Sequence, residues 1–375
     1  MSYKIAIVLN SSWAAYNFRY NLAKKLQDQG YEITFIAPHD KYSYKLKEKF
    51  KFIDLSLSTD GTNPIKDLKT IFRLFKVYKK LKPDIVLHFS IKPNIYGTIV
   101  SNFLSIPSIN NIAGLGSLFI NNNFFTKVAK KLYKFSQKNA TKIFFQNNDD
   151  FKLFLNEGLV LEHKCDRLPG SGVDLKKFKP RPKKNDGVFR FLIVSRMLWA
   201  KGIGEYVEAA KIIKGKYSNV EFLLLGFLDV KSPTAITKEQ MDYWVENNQV
   251  KYIGVSDNVQ DEISKVDCIV FPSYYREGVP RALLESASMS KPIITTDSVG
   301  CKEVVDDGVN GYLCKIKDVS DLVDKMEKML NLSIDERTIM GEKGREKVIK
   351  EFSEEIIINK YLESISQILT NNSEK

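Results

Sequence analysis

The residues of this chain best suited to chemistry lie between Ser273 and Glu285, in the string S-Y-Y-R-E-G-V-P-R-A-L-L-E. An apolar, β-favouring run, Cys268-Ile-Val-Phe-Pro272, precedes it, and helix-forming residues from Arg281 to Met289 follow. The pattern predicts strand, polar loop, helix. Pro280 suits the first turn of that helix, where a missing N–H costs nothing. The free backbone N–H groups and positive dipole end of the helix make an anion site suited to phosphate. Glu277 precedes the turn, and Glu285 lies about two turns further on, roughly 12 Å of helix rise from Glu277 at ~1.5 Å per residue. Two carboxylates bracketing a phosphate-binding helix start suit a ligand with hydroxyls on both sides of its phosphates. A nucleotide-sugar has that form.

A second basic loop, Ser195-Arg196-Met-Leu-Trp-Ala-Lys201-Gly202, follows another β-favouring run and leads into a helix. Arg196 and Lys201 could clamp a diphosphate there, and Gly202 would allow close backbone approach. Three loops in the first half are also site-like. One is Asn10-Ser11-Ser12-Trp-Ala-Ala-Tyr-Asn-Phe-Arg19, which lacks the G-x-G-x-x-G fingerprint of a dinucleotide cofactor. In the second, Lys92 and Asn94 open a helix where they could meet an acceptor phosphate, or serve simply as a solvated lysine and a cap. The third is Asn110-Asn-Ile-Ala113-Gly114-Leu-Gly116, whose two glycines permit a tight loop. Ser11, Ser12, Lys92, Asn94, Gly114 and Gly116 are therefore the acceptor-side candidates. His88 reads as a satisfied strand-end histidine.

Strands and helices must alternate to position these loops, and the pattern does so almost throughout, favouring α/β layers with parallel sheets. In the first half, strands fall near 3–9, 31–36, 51–54, 84–89, 107–110, 142–145 and 165–168. Helices fall near 17–29, 42–49, 64–82, 94–104, 124–139 and 148–156. A second series begins at Phe189, with strands near 189–195, 220–225, 250–253, 267–271, 292–295 and 312–314. Its helices lie near 203–215, 238–247, 258–265, 280–289, 301–306 and 320–331, with two more near 335–350 and 354–369. The expected organisation is two doubly wound Rossmann-like domains, 1–170 and 188–350, facing a cleft at their strand carboxyl ends. A Gly-, Pro- and charge-rich linker, 171–187, would join them, and a terminal segment, 351–375, would return to the first domain.

The charge is uneven. Of the 57 Lys and Arg and 45 Asp and Glu, residues 1–185 hold 32 and 14, a balance of +18, and the rest hold 25 and 31, a balance of −6. A basic half points to an anionic partner: nucleic acid, an anionic membrane surface or a diphosphate-bearing substrate. Against nucleic acid, the lysines are dispersed on helices and no stacking platform for single strands is visible. No apolar run approaches the ~18–20 residues of a membrane span. The N-terminus reads as a first strand, not a signal peptide. Four cysteines without C-x-x-C pairing, and only three histidines, argue against zinc and for a reduced, cytoplasmic protein.

The string from Glu277 to Leu313, with its two Glu separated by seven residues and the later Gly300-Cys-Lys-Glu303 and Asp307-Gly-Val-Asn-Gly311, resembles the donor-binding segment of retaining glycosyltransferase family 4. Ser195 to Gly202 is similar to that family's G-R-x-x-x-x-K-G motif, with Ser195 in place of the usual Gly. The resemblance implies a two-Rossmann (type B) fold, no cofactor and no metal. It also gives the residues roles. Glu285 would accept hydrogen bonds from ribose hydroxyls, and Glu277 would face the transferred sugar. Gly278, Val279, Pro280, Arg281, Ala282 and Leu283 would surround the phosphates, which Arg196 and Lys201 clamp. Gly226, Gly254 and Val255, at two further strand ends, complete the donor residues. Many relatives carry His where this chain has Ala113, so histidine assistance is not expected.

Over nearly its whole length the chain most resembles the bacterial members that extend polyprenyl-diphosphate-linked saccharides, through S-I-K-P-N-I-Y-G, A-G-L-G-S-L-F-I and R-M-L-W-A-K-G. That implies a UDP-N-acetylhexosamine donor and a polyprenyl-diphosphate saccharide acceptor at the inner face of the cytoplasmic membrane. Two rivals stand beside it: a UDP-N-acetylglucosamine 2-epimerase, whose catalytic acids and histidines are not matched, and a nucleic-acid-binding protein.

Overall fold

The computed structural model describes residues 2–57, 64–115, 124–183, 185–228, 230, 232 and 234–373. The chain forms two compact units, 1–171 with 355–375, and 172–354.

In the first unit seven strands pair in parallel: β1 (Lys4–Val8), β2 (Glu32–Ala37), β3 (Lys51–Asp54), β4 (Ile85–Phe89), β5 (Ser108–Ile112), β6 (Lys142–Phe145) and β7 (Cys165–Arg167). Their order is β3-β2-β1-β4-β5-β6-β7. Six helices connect them: α1 (Ser12–Asp28), α2 (Lys41–Lys47), α3 (Pro64–Leu81), α4 (Thr98–Phe103), α5 (Phe124–Asn139) and α6 (Asn148–Asn156). Strands β1, β2, β4 and β6 read as almost continuous apolar runs because both faces are covered. Alternate residues of β1 show it. Ile5 and Ile7 join one core with Leu22 and Leu26 of α1, while Ala6 and Val8 join another with Leu74 and Tyr78 of α3.

The second unit repeats the plan with six parallel strands: β8 (Phe189–Val194), β9 (Val220–Leu225), β10 (Lys251–Tyr252), β11 (Cys268–Phe271), β12 (Ile293–Thr296) and β13 (Gly311–Cys314), ordered β10-β9-β8-β11-β12-β13. Its helices are α7 (Ile203–Lys216), α8 (Lys238–Glu246), α9 (Val259–Ser264), α10 (Arg281–Ser288), α11 (Val319–Asn331) and α12 (Ile334–Glu351). The last helix, α13 (Glu354–Ser373), lies almost wholly in the first unit. Its Ile357, Tyr361, Ile365 and Leu369, at helical spacing, bury among Ile5, Phe35 and Phe89. Tyr361 OH also accepts a hydrogen bond from Asn111 Nδ2 at 3.0 Å.

Two segments differ from the sequence reading. The Gly- and Pro-rich stretch 171–187 is not a free linker. Val173 and Phe178 bury in the second unit's core, and Val173 bridges to Ser353. The helix expected at 301–306 is a run of turns. Asn310 accepts from Asp306 N (2.7 Å) and donates to Val304 O (2.9 Å), taking backbone groups a helix would have used.

Candidate functional site

In each sheet the order reverses once, between β1 and β4 and between β8 and β11. At such points the loops leaving neighbouring strands diverge and open a crevice at the carboxyl ends. Every chemically interesting residue named above, apart from those on the loops after β5, β9 and β10, comes from the four loops at these two positions.

In the second unit the loops after β8 and β11 are joined through one backbone atom. The carbonyl of Ala200 accepts from Tyr274 N (3.1 Å), Tyr275 N (3.0 Å) and Ser273 Oγ (3.3 Å). Hydroxyls at the end of β12 hold the same loop from the other side. Thr295 Oγ1 donates to Phe271 O (2.7 Å), and both Thr296 Oγ1 and Ser298 Oγ donate to Ser273 O. Lys201 is thereby held against Glu277: its Nζ contacts Glu277 Oε1, with side-chain exposures of 9% and 13%. Ser273 Oγ lies 3.1 Å from the same oxygen. The Lys201 ammonium also sits 5.0 Å from the ring centre of Tyr275 and 5.3 Å from that of Phe271. Facing each other offsets part of what two such buried side chains lose on leaving water.

Pro280 is the N-cap of α10, one position earlier than its expected place inside the first turn. It supplies no side-chain cap to the helix N–H groups. Glu285, on the second turn, accepts from Arg281 Nε at 2.8 Å. Burial pushes the Glu285 carboxyl above its ordinary pKa, and the charges of Arg281 and Lys177 oppose that shift. Gly278, Val279 and Leu283 are buried behind the turn, while Ala282 is half-buried. Arg196 is exposed and forms no ion pair among the described residues, so its guanidinium is available to a ligand. Gly226 N donates to Gly254 O at 2.8 Å. A side chain at Gly226 would put its Cβ 1.7 Å from Ser195 O, at φ +144. Gly226 therefore lets the loop after β9 press on the loop that carries Arg196. Val255 is exposed beside Gly254.

The first unit treats its candidates differently. Ser11 caps α1, accepting from Ala14 N, and Ser12 is buried with Oγ donating to Pro38 O at 2.5 Å. Lys92 is tied to Asp67 by a 2.9 Å ion pair. All three have structural partners, and those of Ser12 and Lys92 lie 26 and 25 residues away, beyond a local reading. Gly114 has φ +96 beside a cavity; Gly116 lies outside the described residues. His88 is fully buried, with Nδ1 2.8 Å from Asn110 Oδ1 and Nε2 2.9 Å from Tyr78 OH. Since an amide oxygen only accepts, Nδ1 carries the proton and Tyr78 donates to Nε2. Burial lowers the His88 pKa to about 4. It is a satisfied core histidine. Gly97 makes room for it, since a Cβ there would fall 2.4 Å from His88 Nε2.

That cavity, of about 540 Å³, opens at the carboxyl ends of β1, β4 and β5. Arg19, buried on α1 with its guanidinium 4.2 Å from the centre of the Phe89 ring, forms part of its wall. Among the described residues no three His, Cys, Asp or Glu converge as a metal site, and no helix is long and apolar enough to cross a membrane. All four cysteines are free thiols.

Residues 174–347 match the glycosyl transferases group 1 family, and residues 4–147 match the glycosyl transferase 4-like family. The chain is 29% identical over 387 aligned positions to the N,N'-diacetylbacillosaminyl-diphospho-undecaprenol alpha-1,3-N-acetylgalactosaminyltransferase of Campylobacter jejuni, covering 98% of this chain and 100% of that enzyme. It is 26% identical to the UDP-Gal:alpha-D-GlcNAc-diphosphoundecaprenol alpha-1,3-galactosyltransferase of Escherichia coli, covering 77% of this chain and 76% of that one. Among solved structures, a glycosyltransferase from Rickettsia africae superposes with a TM-score of 0.81 at 22% identity, covering 99% of both chains. Anabaena HepE in complex with UDP and glucose gives 0.78 at 15% identity, covering 97% of this chain and 99% of that one. These structural likenesses concern the fold.

Proposed function

The chain belongs to the group 1 glycosyl transferases, and on that footing we propose that it moves a sugar from a nucleotide-sugar to a polyprenyl-diphosphate-linked saccharide. The observation that carries the donor half is the Ala200 junction. It brings Lys201, Glu277 and the start of α10, where Pro280 supplies no side-chain cap, to one place at the switch point of the second sheet. Lys201 has three N–H donors. With one directed at Glu277, the others serve the donor diphosphate, joined by Arg196 and the first-turn amides of α10. Charge building on a departing nucleoside diphosphate is then met by cations and a helix dipole already in place, so no metal is required. Glu285, held by Arg281, accepts from the ribose hydroxyls, and Glu277 accepts from hydroxyls of the transferred sugar. No side chain at the site is an evident covalent nucleophile. Retention is what the resemblance to retaining glycosyltransferases implies, and without such a nucleophile it takes the form of front-side attack, in which the leaving β-phosphate oxygen helps take the acceptor proton.

For the acceptor, both relatives named above carry a diphospho-undecaprenol-linked acceptor in their names, and that chemistry is assigned to the first unit. The donor is a UDP-N-acetylhexosamine. The exposed face of α3 supports work at a membrane surface. Ile65, Leu68 and Phe72 form an exposed apolar stripe, flanked by exposed Lys66, Lys69, Arg73, Lys76, Lys79 and Lys80. A basic rim around an apolar stripe suits peripheral attachment to the anionic inner face of the cytoplasmic membrane.

The test is transfer. Purified protein is incubated with a panel of nucleotide-sugars and lipid-linked acceptors, with and without EDTA. The proposal requires a glycosylated lipid in both conditions. Release of an epimerised nucleotide-sugar without lipid product would overturn the transfer, and a strict need for added Mg²⁺ or Mn²⁺ would overturn the metal-free clamp.

A further inference from the structure

The second unit carries a cavity of about 540 Å³ that the donor reading leaves unused. It lies at the amino ends of β8, β11 and β12, the end of the sheet opposite the Ala200 junction. Four cations line it, Arg181, Lys183, Lys291 and Arg337, against one carboxylate, Asp267. Two of the four are matched by acids. Arg181 pairs with Asp261, and Lys183 Nζ donates to Asp267 Oδ2 at 2.5 Å, an oxygen that also accepts from Arg190 N at 2.8 Å. Lys291 and Arg337 form no ion pair among the described residues and donate only to backbone carbonyls. Lys291, 8% exposed, donates through Nζ to Ser264 O (3.2 Å) and Val266 O (2.7 Å). Arg337 donates through Nη1 to Leu332 O, with its guanidinium carbon 5.1 Å from the centre of the Phe189 ring. Its Nε and Nη2 have no hydrogen-bond partner among the described residues.

The wall is therefore positive. Burial, opposed by Asp267 and aided by Lys183, pushes the Lys291 pKa down to about 8, so at pH 7 it remains mostly a cation. Ile334 brings the first turn of α12, an 18-residue helix, into the same wall, which adds the positive end of its dipole. Neither acid of that turn, Asp335 or Glu336, lines the cavity, and Glu336 accepts from Ser333 N at 2.7 Å. Buried positive charge short of a counter-charge is unfavourable, and an anion in the cavity would relieve it. The planar fork of Arg337 suits two oxygens of a phosphate better than a single halide. The volume is that of a small-molecule site, and Asn185, Ser290 and Thr338 add amide and hydroxyl groups to its lining. We propose that this cavity is a second ligand site, apart from the donor crevice, and that it takes the phosphate monoester of a small polyol. Arg337 contacts the phosphate, Lys291 and Lys183 supply the positive field around it, and the polar side chains meet the polyol's hydroxyls.

Calorimetry on the full chain tests this without any transfer reaction, with ribose 5-phosphate as the probe and ribose and inorganic phosphate as comparators. Ribose 5-phosphate should bind at millimolar concentration, inorganic phosphate should bind more weakly, and ribose should give no heat. Arg337→Gln should weaken ribose 5-phosphate by about 10–100-fold, the range set by hydrogen bonds to a charged group. Lys291→Met should weaken it as well. Arg196→Ala, which alters the donor crevice, should leave it unchanged. UDP affinity should be the same in Arg337→Gln and Lys291→Met as in the wild type, which shows that the second unit is still folded in both. No binding of ribose 5-phosphate, or binding as tight in Arg337→Gln as in the wild type, overturns the site. Binding lost in Arg196→Ala places the ester in the donor crevice and overturns it too. Inorganic phosphate binding as tightly as ribose 5-phosphate overturns the polyol half of the proposal. A final arm offers vesicles containing phosphatidic acid. Vesicle binding that needs Arg337, in a protein that ignores ribose 5-phosphate, makes this a lipid headgroup site and overturns the small-molecule assignment.

Discussion

Breaking the Lys201–Glu277 pair should separate stability from catalysis. Both side chains are about nine-tenths buried, so removing one leaves the other as an uncompensated charge away from water. Such losses run to about 3–5 kcal/mol, and the residual exposure places Lys201→Met near the lower end, about 3 kcal/mol. Glu277→Gln should cost less, about 1–2 kcal/mol, because the Lys201 ammonium keeps the faces of Phe271 and Tyr275. The double variant buries neither charge and should return to within about 1 kcal/mol of the wild type, giving a coupling of about 2 kcal/mol or more. Activity should not return with it. Removing preorganised charge from a developing diphosphate costs about 100–1,000-fold, so all three variants should lose at least about 100-fold in kcat/KM. The assay is urea unfolding in a Trp13→Phe background, where only Trp199 and Trp244 remain, both in the second unit with ring centres 5.7 Å apart. Single variants within 0.5 kcal/mol of wild type, or a double variant with wild-type activity, would refute the reasoning.

Glu285→Ala should weaken binding of UDP by about 1.5–3 kcal/mol, the worth of a charged acceptor to buried hydroxyls, and calorimetry with UDP alone reads it directly. The first unit should lose stability in acid through His88. Its folded pKa of about 4 lies below the ordinary 6.5, so its stabilising contribution is complete above pH 6.5 and fades as pH falls toward 4. The total is about 3 kcal/mol; urea titrations at pH 7 and 4, followed through Trp13 in a Trp199→Phe/Trp244→Phe chain, should show it, and His88→Gln should flatten the difference. Co-sedimentation with vesicles should rise with anionic lipid and collapse in high salt. Replacing Lys69, Arg73 and Lys76 by Glu should abolish it, and indifference to all three changes would free α3 of a membrane role.

The central parallel strands were legible because they are buried on both faces and so read as largely apolar runs, as in Lys4–Val8 and Cys268–Phe271. Glu277, Glu285, Arg196 and Lys201 stood out because their loops follow such runs. What stayed hidden is non-local. Lys201 and Glu277 are 76 residues apart, and nothing near either announces that they pair. Lys92 finds Asp67 across 25 residues, which turns a free-looking lysine into a structural one. The Ala200 carbonyl cannot be seen from side-chain patterns at all. The hydroxyl run Thr295-Thr-Asp-Ser298 at a strand end was a signal for the loop support, since buried hydroxyls must find acceptors. Asn94 reads locally as a helix opener, but what fixes it in place is non-local: its Nδ2 donates to Asn111 O, and its carbonyl accepts from Gln137 Nε2.

The anomeric configuration of the product tests the account most directly. If the start of α10, Arg196 and Lys201 hold the departing diphosphate on the face the acceptor approaches, then an α-linked nucleotide-sugar must give an α-linked lipid saccharide. The one-bond C1–H1 coupling in the NMR spectrum of that product reads it without further assumption. Retention is the predicted result; a β-linked product would contradict both the front-side mechanism and the roles given to the donor-site residues.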